Sequence, residues 1–448
     1  MLSRTLLSSF TRRSSFSASS AAPAAKAQLR SILSHKIKRQ GGPSAYRTHS
    51  TLPNLPLFRA LQNHNQSSTA IVHSVSGRSF TYGNLIGDVI RSKEALSAKT
   101  DGVEGERIAF LAENSYDYVV TLLSILASNA IALPLSPAFP VGELKYIMDN
   151  SGAKVLVATE KYGDKARDIL KAGLEREPVL DVREKIKTGA SAGEAVELKD
   201  LEESRLRGGM MLYTSGTTNR PKGVLIPQSA LTAQAKSLIQ AWEYSPADHL
   251  LHLLPLHHIH GTVNAILTPL LAGSSIEFMF PFNPTAVWNR LATPFLPETA
   301  GQSSKITFLT AVPTIYNRLM ASFPDLPPPT QEAARKAISP EHLRLNISGS
   351  AALPTPTKEA WKQLSNGNVL LERYGMTEVG MAISCGLDSA DRVDGSVGWP
   401  LPSVEARLFD TDANEVIRRG EELDANGRER EGEDPAPWAD DLPRVLGQ

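Results

Sequence analysis

Cysteine is almost missing from this chain. Cys385 is the single one in 448 residues, which excludes an intrachain disulfide and any multi-cysteine zinc site and leaves Cys385 as a small core residue. No run of 18 or more apolar residues occurs, so no segment is suited to cross a membrane as a helix. An excess of charge is absent too: 47 basic residues balance 47 acidic ones, and composition gives no support to nucleic-acid binding. One local absence is sharper. No acidic residue precedes Asp88, while Arg4, Arg12, Arg13, Lys26, Arg30, Lys36, Lys38, Arg39 and Arg47 stand among many serines and alanines in residues 1–50. Basic, serine-rich and acid-poor composition is that of an organelle transit peptide, with a disordered basic tail as the alternative. The expected address is the mitochondrial matrix, with cleavage between about Ser31 and Ser50.

Beyond Thr51 the pattern turns globular, with 41% apolar residues over the whole chain. Ala70 to His73, a turn at Ser76-Gly77 and Phe80 to Leu85 predict a hairpin leading into a helix. Arg107 to Leu111, Ile131 to Leu135 and Lys154 to Thr159 read as buried strands, separated by helices at Tyr116 to Ser128 and Val141 to Met148. Lys161 to Leu206 is more polar and reads as a peripheral helix and loop. Further units follow: helices at Gln228 to Trp242, Ile259 to Leu271 and Pro313 to Met320, and strands at Leu250 to Leu254, Ser275 to Phe280, Lys305 to Thr310, Leu343 to Ile347 and Val404 to Phe409. Strands alternating with helices predict an α/β fold with mostly parallel sheets.

The stretch most suited to chemistry runs from Met211 to Gly223. Two apolar residues and Tyr213 lead into Thr214, Ser215, Gly216, Thr217 and Thr218, and Asn219-Arg220-Pro221-Lys222-Gly223 closes the loop. Small residues let backbone N–H groups approach phosphate oxygens, hydroxyls add neutral donors, and Lys222 supplies a mobile cation. A flexible polar loop between two strands is the alternative. The G-x-x-x-x-G-K-[ST] phosphate loop is excluded, because no hydroxyl residue follows the lysine.

Three more segments stand out. His257, His258 and His260 invite a metal reading, but no acidic residue adjoins them and zinc needs three or four oriented ligands. Gly349-Ser350-Ala351 ends a strand in small residues, where a planar base or a carboxylate can approach the backbone. Arg373-Tyr374-Gly375-Met376-Thr377-Glu378 sets a flat ring, a hydroxyl and a hard oxygen ligand in a row.

Taken in order, YTSGTTxRPKG, PLxHxxG, VPT, SGxAxL and YGxTE resemble the motifs of the adenylate-forming enzymes, the superfamily that includes the acyl-CoA synthetases. The resemblance implies a large N-terminal adenylation domain of stacked α/β subdomains, here residues 51–409. It implies that Thr214, Ser215, Gly216, Thr217, Thr218, Lys222, Gly349, Ser350, Ala351, Tyr374, Gly375 and Thr377 bind ATP, that Lys222, Thr377 and Glu378 act in catalysis, and that Glu378 holds Mg²⁺. A small carboxylic acid attacks the α-phosphorus, and coenzyme A takes the acyl group from the adenylate. HHIHG, SGSAAL and ERYGMTE resemble the malonyl-CoA synthetases in particular, which implies that His258, His260, Ser350, Arg373 and Met376 meet a malonate or methylmalonate. A second carboxylate needs a cation, and Arg373 is assigned to it unless an acidic neighbour claims that side chain.

Two departures temper the resemblance. Asn219 stands where the family has glycine, although Asn tolerates a left-handed backbone. The family's ribose-binding aspartate, hinge and small C-terminal domain are not recognisable, and residues 410–448 read as a divergent, disordered tail. The alternatives are therefore a medium- or long-chain fatty acyl ligase and a silent ATP or carboxylate binder.

Overall fold

The computed structural model describes residues 50–191, 196–203, 206–214, 220–410, 415–417 and 444–446. Two large mixed sheets carry the architecture. In the first, β4 (Arg107–Leu111), β5 (Ile131–Pro134), β6 (Val155–Thr159) and β7 (Val179–Arg183) run parallel, in the order β5-β4-β6-β7. The antiparallel hairpin of β9 (Gly209–Thr214) and β10 (Lys222–Pro227) joins along β5, and β20 (Arg444–Leu446) pairs with β10 to complete seven strands.

The second sheet has nine strands. Its parallel centre is β2 (Thr69–His73), β12 (Ser275–Phe278), β11 (His249–His252), β13 (Phe308–Ala311), β14 (Leu345–Ser348) and β15 (Leu371–Met376), in that spatial order. β3 (Arg78–Thr81) closes one edge, and β16 (Gly380–Ser384) and β17 (Trp399–Pro400) the other, all antiparallel. Two small pairs, β1 (Ser50–Pro53) with β8 (Val196–Lys199) and β18 (Leu408–Asp410) with β19 (Glu415–Ile417), lie apart from these sheets.

The period of two along the strands explains the layering. Ile108 and Phe110 of β4 face a core shared with Leu250 of β11 and Phe308 of β13, and the helices Tyr82–Ala98, Tyr116–Ala127 and Gln228–Trp242 fill the space between the two sheets. Ala109 and Leu111 point the other way, onto the helices Val141–Ser151 and Gly163–Lys171. Leu251 and Leu309 likewise face outward, onto four helices that surround Trp288 and Trp361. All twelve residues of Tyr116–Ala127 are buried, as expected of a helix covered on both sides. The start of Tyr82–Ala98 is fixed by a reciprocal cap between Thr81 and Asn84.

Several expected elements change form. The segment 161–206 holds the expected helix at Gly163–Lys171 but also β7 and β8; hydrogen bonding along a sheet edge, not apolar periodicity, makes β7 a strand. The last expected strand begins at Leu408, not Val404. The helix expected from Ile259 to Leu271 is a π-helix at His260–Leu267 followed by an α-helical turn at Thr268–Ala272. Pro269 has no N–H to give to a carbonyl one turn back, and Thr268 bonds five residues back instead, through both its N–H and its hydroxyl, to Val263 O. Of the expected leader only Ser50 is among the described residues, and the tail contributes only Asp410, β19 and β20.

Candidate functional site

The carboxyl ends of β11, β13 and β14, together with β15, open on a cavity of about 650 Å³. This is the end of a parallel sheet at which loops are free to gather around a ligand. Register sets the neighbours: His252 lies beside Thr310, Thr310 beside Ile347, and Ile347 beside Leu371. Ser350, Arg373, Gly375, Met376 and Thr377 line the cavity, together with His258 from the loop after β11 and His260 at the head of the π-helix. Leu253, Leu254, Ile259, Val312 and Ile315 supply apolar wall.

The loop that presents His260 is held by a tight contact. A Cβ at Gly261 would stand 2.1 Å from Pro255 O, so only glycine allows the chain to double back here. His252 completes the hold: its Nε2 donates to Gly261 O at 2.7 Å, and burial drives its pKa down to about 4, keeping the ring neutral.

Arg373 is the centre of the site. It is buried, and burial pushes its pKa down to about 10, which leaves it a cation at neutral pH. Nη2 donates to His260 Nδ1 and, at 3.1 Å, to Ser350 Oγ, while Nε has no partner. Among the described residues no carboxylate pairs with it. The acidic neighbour that could have claimed it, Glu372, points to the other side of the strand and binds Lys358 Nζ at 2.7 Å. A buried cation without a counter-ion is costly unless a ligand supplies one.

His260 is itself buried, and its pKa lies well below the ordinary value through burial first and the adjacent Arg373 second. A neutral imidazole beside a guanidinium does not favour a metal ion. His258 is exposed at the cavity mouth, and His257 sets its ring edge-on to Phe139. Among the described residues no group of three or more His, Cys, Asp or Glu side chains is arranged to hold a metal.

Gly349 and Ser350 follow β14 directly. Gly349 leaves room for the Arg373 side chain, and Ser350 adopts a positive φ of 66°, which turns its hydroxyl to Arg373. Ala351 beside it is exposed. Tyr374 and Met376 alternate outward on β15, 45% and 42% exposed. Thr377 and Glu378 occupy the turn between β15 and β16. That turn is clamped by Gln234, whose Nε2 donates to Met381 O at 3.1 Å and whose Oε1 accepts from Met381 N at 2.5 Å.

Thr214 and Lys222 face each other across the mouth of the β9/β10 hairpin. Ser215, Gly216, Thr217 and Thr218 lie outside the described residues. No described contact brings Lys222 or Thr214 into the cavity around Arg373, so the sites expected for phosphate and for acid stand on different sheets.

Sequence reasoning passed over three residues that the structure brings in. Arg318 lines the same cavity with its guanidinium 4.8 Å from the centre of the Phe282 ring. Thr310 meets His260 Nε2. Gln234 clamps the Glu378 turn. The VPT segment, Val312-Pro313-Thr314, carries no signal for Arg318, four residues beyond it on the helix Pro313–Ser322.

The model of the family described as AMP-binding enzyme matches residues 57–427. A CoA ligase of Gibberella moniliformis is 56% identical over 84% of this chain and 66% of its own length. A mitochondrial malonate–CoA ligase of Homo sapiens is 36% identical over 79% of this chain and 62% of its own. The chain thus spans just under two thirds of the length of these curated relatives. Among solved structures, apo MatB from Rhodopseudomonas palustris superimposes with a TM-score of 0.66 at 30% identity, covering 82% of this chain and 68% of the other.

Proposed function

Because the chain belongs to the family of AMP-binding enzymes, we propose that it serves as an ATP-dependent acid–thiol ligase whose acid is a small dicarboxylate, malonate or methylmalonate. The observation that carries this reading is Arg373: a buried cation without a carboxylate partner, opening on a cavity of about 650 Å³. A fatty acyl chain is served by apolar wall alone and gives such a guanidinium nothing to bind, whereas a second carboxylate satisfies it. The names of the human relative and of a solved malonyl-CoA ligase complex with methylmalonyl-CoA and AMP point the same way.

In this reading one carboxylate of the acid meets Arg373 while the other attacks the α-phosphorus of ATP and pyrophosphate departs. The thiol of coenzyme A then attacks the acyl carbonyl, and AMP leaves. Neither step needs a strong base; both need negative charge to be neutralised as it moves. Lys222, at the start of β10, provides a mobile cation for the departing phosphates, and the Thr377 hydroxyl a neutral donor for the α-phosphate. Tyr374, with its exposed ring, offers a face for adenine, Gly349 to Ala351 backbone at its edge, and Gly375 a close approach. Ser350, His258 and Met376 complete the acid's surroundings. Glu378 fits Mg²⁺ in the way that ion is usually held beside nucleotides, by one carboxylate with the remaining positions taken by phosphate and water; the half-exposed Glu378 makes no described ion pair. When bound, Mg²⁺ would neutralise triphosphate charge. The mitochondrial matrix is the compartment we assign, on the composition of residues 1–50 and the mitochondrial human relative.

Pyrophosphate release from ATP and Mg²⁺, measured on the 448-residue chain with malonate, acetate or octanoate, tests the reading. Release with malonate and little with the others is expected. Release with octanoate in preference to malonate overturns the dicarboxylate assignment, and ATP binding without release under any acid marks the chain as a nucleotide binder.

A further inference from the structure

The Arg373 guanidinium is held by a histidine that can serve it in only one form. Arg373 donates and never accepts, so the His260 nitrogen it faces, Nδ1, must carry a lone pair. The ring is neutral at this depth, and its single proton is therefore on Nε2, which points at Thr310 Oγ1. Thr310 is fully inside β13 and flanked in register by His252 and Ile347, so its hydroxyl cannot turn away to water. The opposite tautomer would set an N–H against the N–H of Arg373.

We propose that Thr310 is a positioning residue for substrate recognition: by accepting the Nε2 proton of His260 it satisfies the tautomer that Arg373 demands and holds the ring against the guanidinium, and so aims the guanidinium at the substrate's distal carboxylate. The recognition half of this inference rests on the dicarboxylate reading above; the tautomer half rests on geometry alone. Ser350 holds the same Nη2 from the other side at 3.1 Å. Nη2 is therefore spent on the protein, and the rest of the guanidinium is left for a ligand. Thr310→Val keeps the shape of the side chain and removes the acceptor. It leaves His260 Nε2–H unpaired in the core, and the ring escapes that cost by shifting its proton to Nδ1 or by rotating, either of which releases Arg373.

The experiment uses the full chain labelled with ¹⁵N-histidine, wild type, Thr310→Val and Thr310→Ser, with His260→Gln to assign the resonance. Nitrogen chemical shifts report the tautomer, and calorimetry with ATP present gives Kd for malonate and for acetate. We expect an Nε2–H signal for His260 in the wild type, its loss in Thr310→Val with malonate Kd raised about tenfold and acetate Kd unmoved, and recovery of both in Thr310→Ser. An unchanged Nε2–H signal and unchanged malonate Kd in Thr310→Val would reduce Thr310 to packing and overturn the proposal. Equal wild-type affinity for malonate and acetate would instead sink the dicarboxylate reading and the recognition half with it, while the nitrogen spectra still decide whether Thr310 sets the tautomer.

Discussion

The Arg373 guanidinium occupies the space that a side chain at Gly349 would fill: a Cβ there would stand 2.6 Å from both Cζ and Nε of Arg373 and 3.0 Å from its carbonyl oxygen. Gly349 is thus required by the shape of the site and not by backbone angle. Gly349→Ala should leave the fold intact, because the two closest atoms belong to the far end of a long side chain and the carbonyl oxygen need give by only a few tenths of an ångström. It should displace the guanidinium and raise malonate Kd about tenfold, a loss of the order of one charge-assisted hydrogen bond. Calorimetric titration with malonate, beside a thermal melt, separates the two effects; a lowered melting point with unchanged malonate affinity would contradict this account.

A second glycine acts through the backbone. Gly380 has φ +71°, and a Cβ there would fall 1.8 Å from Gln234 Oε1. Gly380→Ala should therefore cost about 2 kcal/mol in urea unfolding, from left-handed strain together with the lost clamp on Met381. Pairing it with Gln234→Ala should give less than the sum, because both changes remove the same clamp. Strict additivity in the double-mutant cycle would show that the clamp does not hold the turn.

Glu277 predicts an acid limb. Burial alone would raise its pKa, but hydrogen bonds from His249 and Arg290 outweigh burial and bring it to about 2, against an ordinary 4.5. A depressed carboxylate stabilises the fold fully above pH 4.5, and that contribution fades as pH falls toward 2. It amounts to about 3 kcal/mol for a shift of this size. The stability gap between wild type and Glu277→Gln should be widest near neutrality and close through this window. A gap independent of pH would rule out the depressed carboxyl.

Lys222 predicts the opposite pattern, a chemical loss without a structural one. It makes no described hydrogen bond or ion pair, so Lys222→Ala should change the unfolding free energy by less than about 0.5 kcal/mol. Malonate-dependent pyrophosphate release should fall about 100-fold, the usual scale for losing a group that neutralises transition-state charge. Retention of that rate would remove Lys222 from the reaction.

The alternation of short apolar runs with helices made the parallel sheets legible, because Ile108 and Phe110, or Leu250 and Leu251, carry their facing in the sequence itself. Arg373 was legible for the same reason: it adjoins a recognisable motif, and Glu372, the neighbour that could have claimed it, is one residue away. What escaped has no local pattern. Arg373 and His260 are 113 positions apart, and His260 and Thr310 are 50 apart; only the register of β11, β13, β14 and β15 makes them neighbours. β7 escaped because an edge strand in a polar segment is held by backbone pairing with β6 and carries little apolar signal.

The π-helix that begins at His260 makes the anchor of Arg373 sensitive to length as well as to chemistry. A π-turn carries one residue more than an α-turn, so deleting a single residue between Val263 and Thr268 would let the segment relax into ordinary α-helix. The widened turn absorbs that extra residue, so with Thr268–Ala272 fixed in the core the end that carries His260 would keep its phase, whereas losing a second residue would turn it by about 100° and carry His260 off Thr310. Two lost codons, but not one, would then free the guanidinium while leaving the sheets, the central core and the β9/β10 hairpin in place. The length of this helix is a counter, and the placement of the Arg373 guanidinium is what it counts.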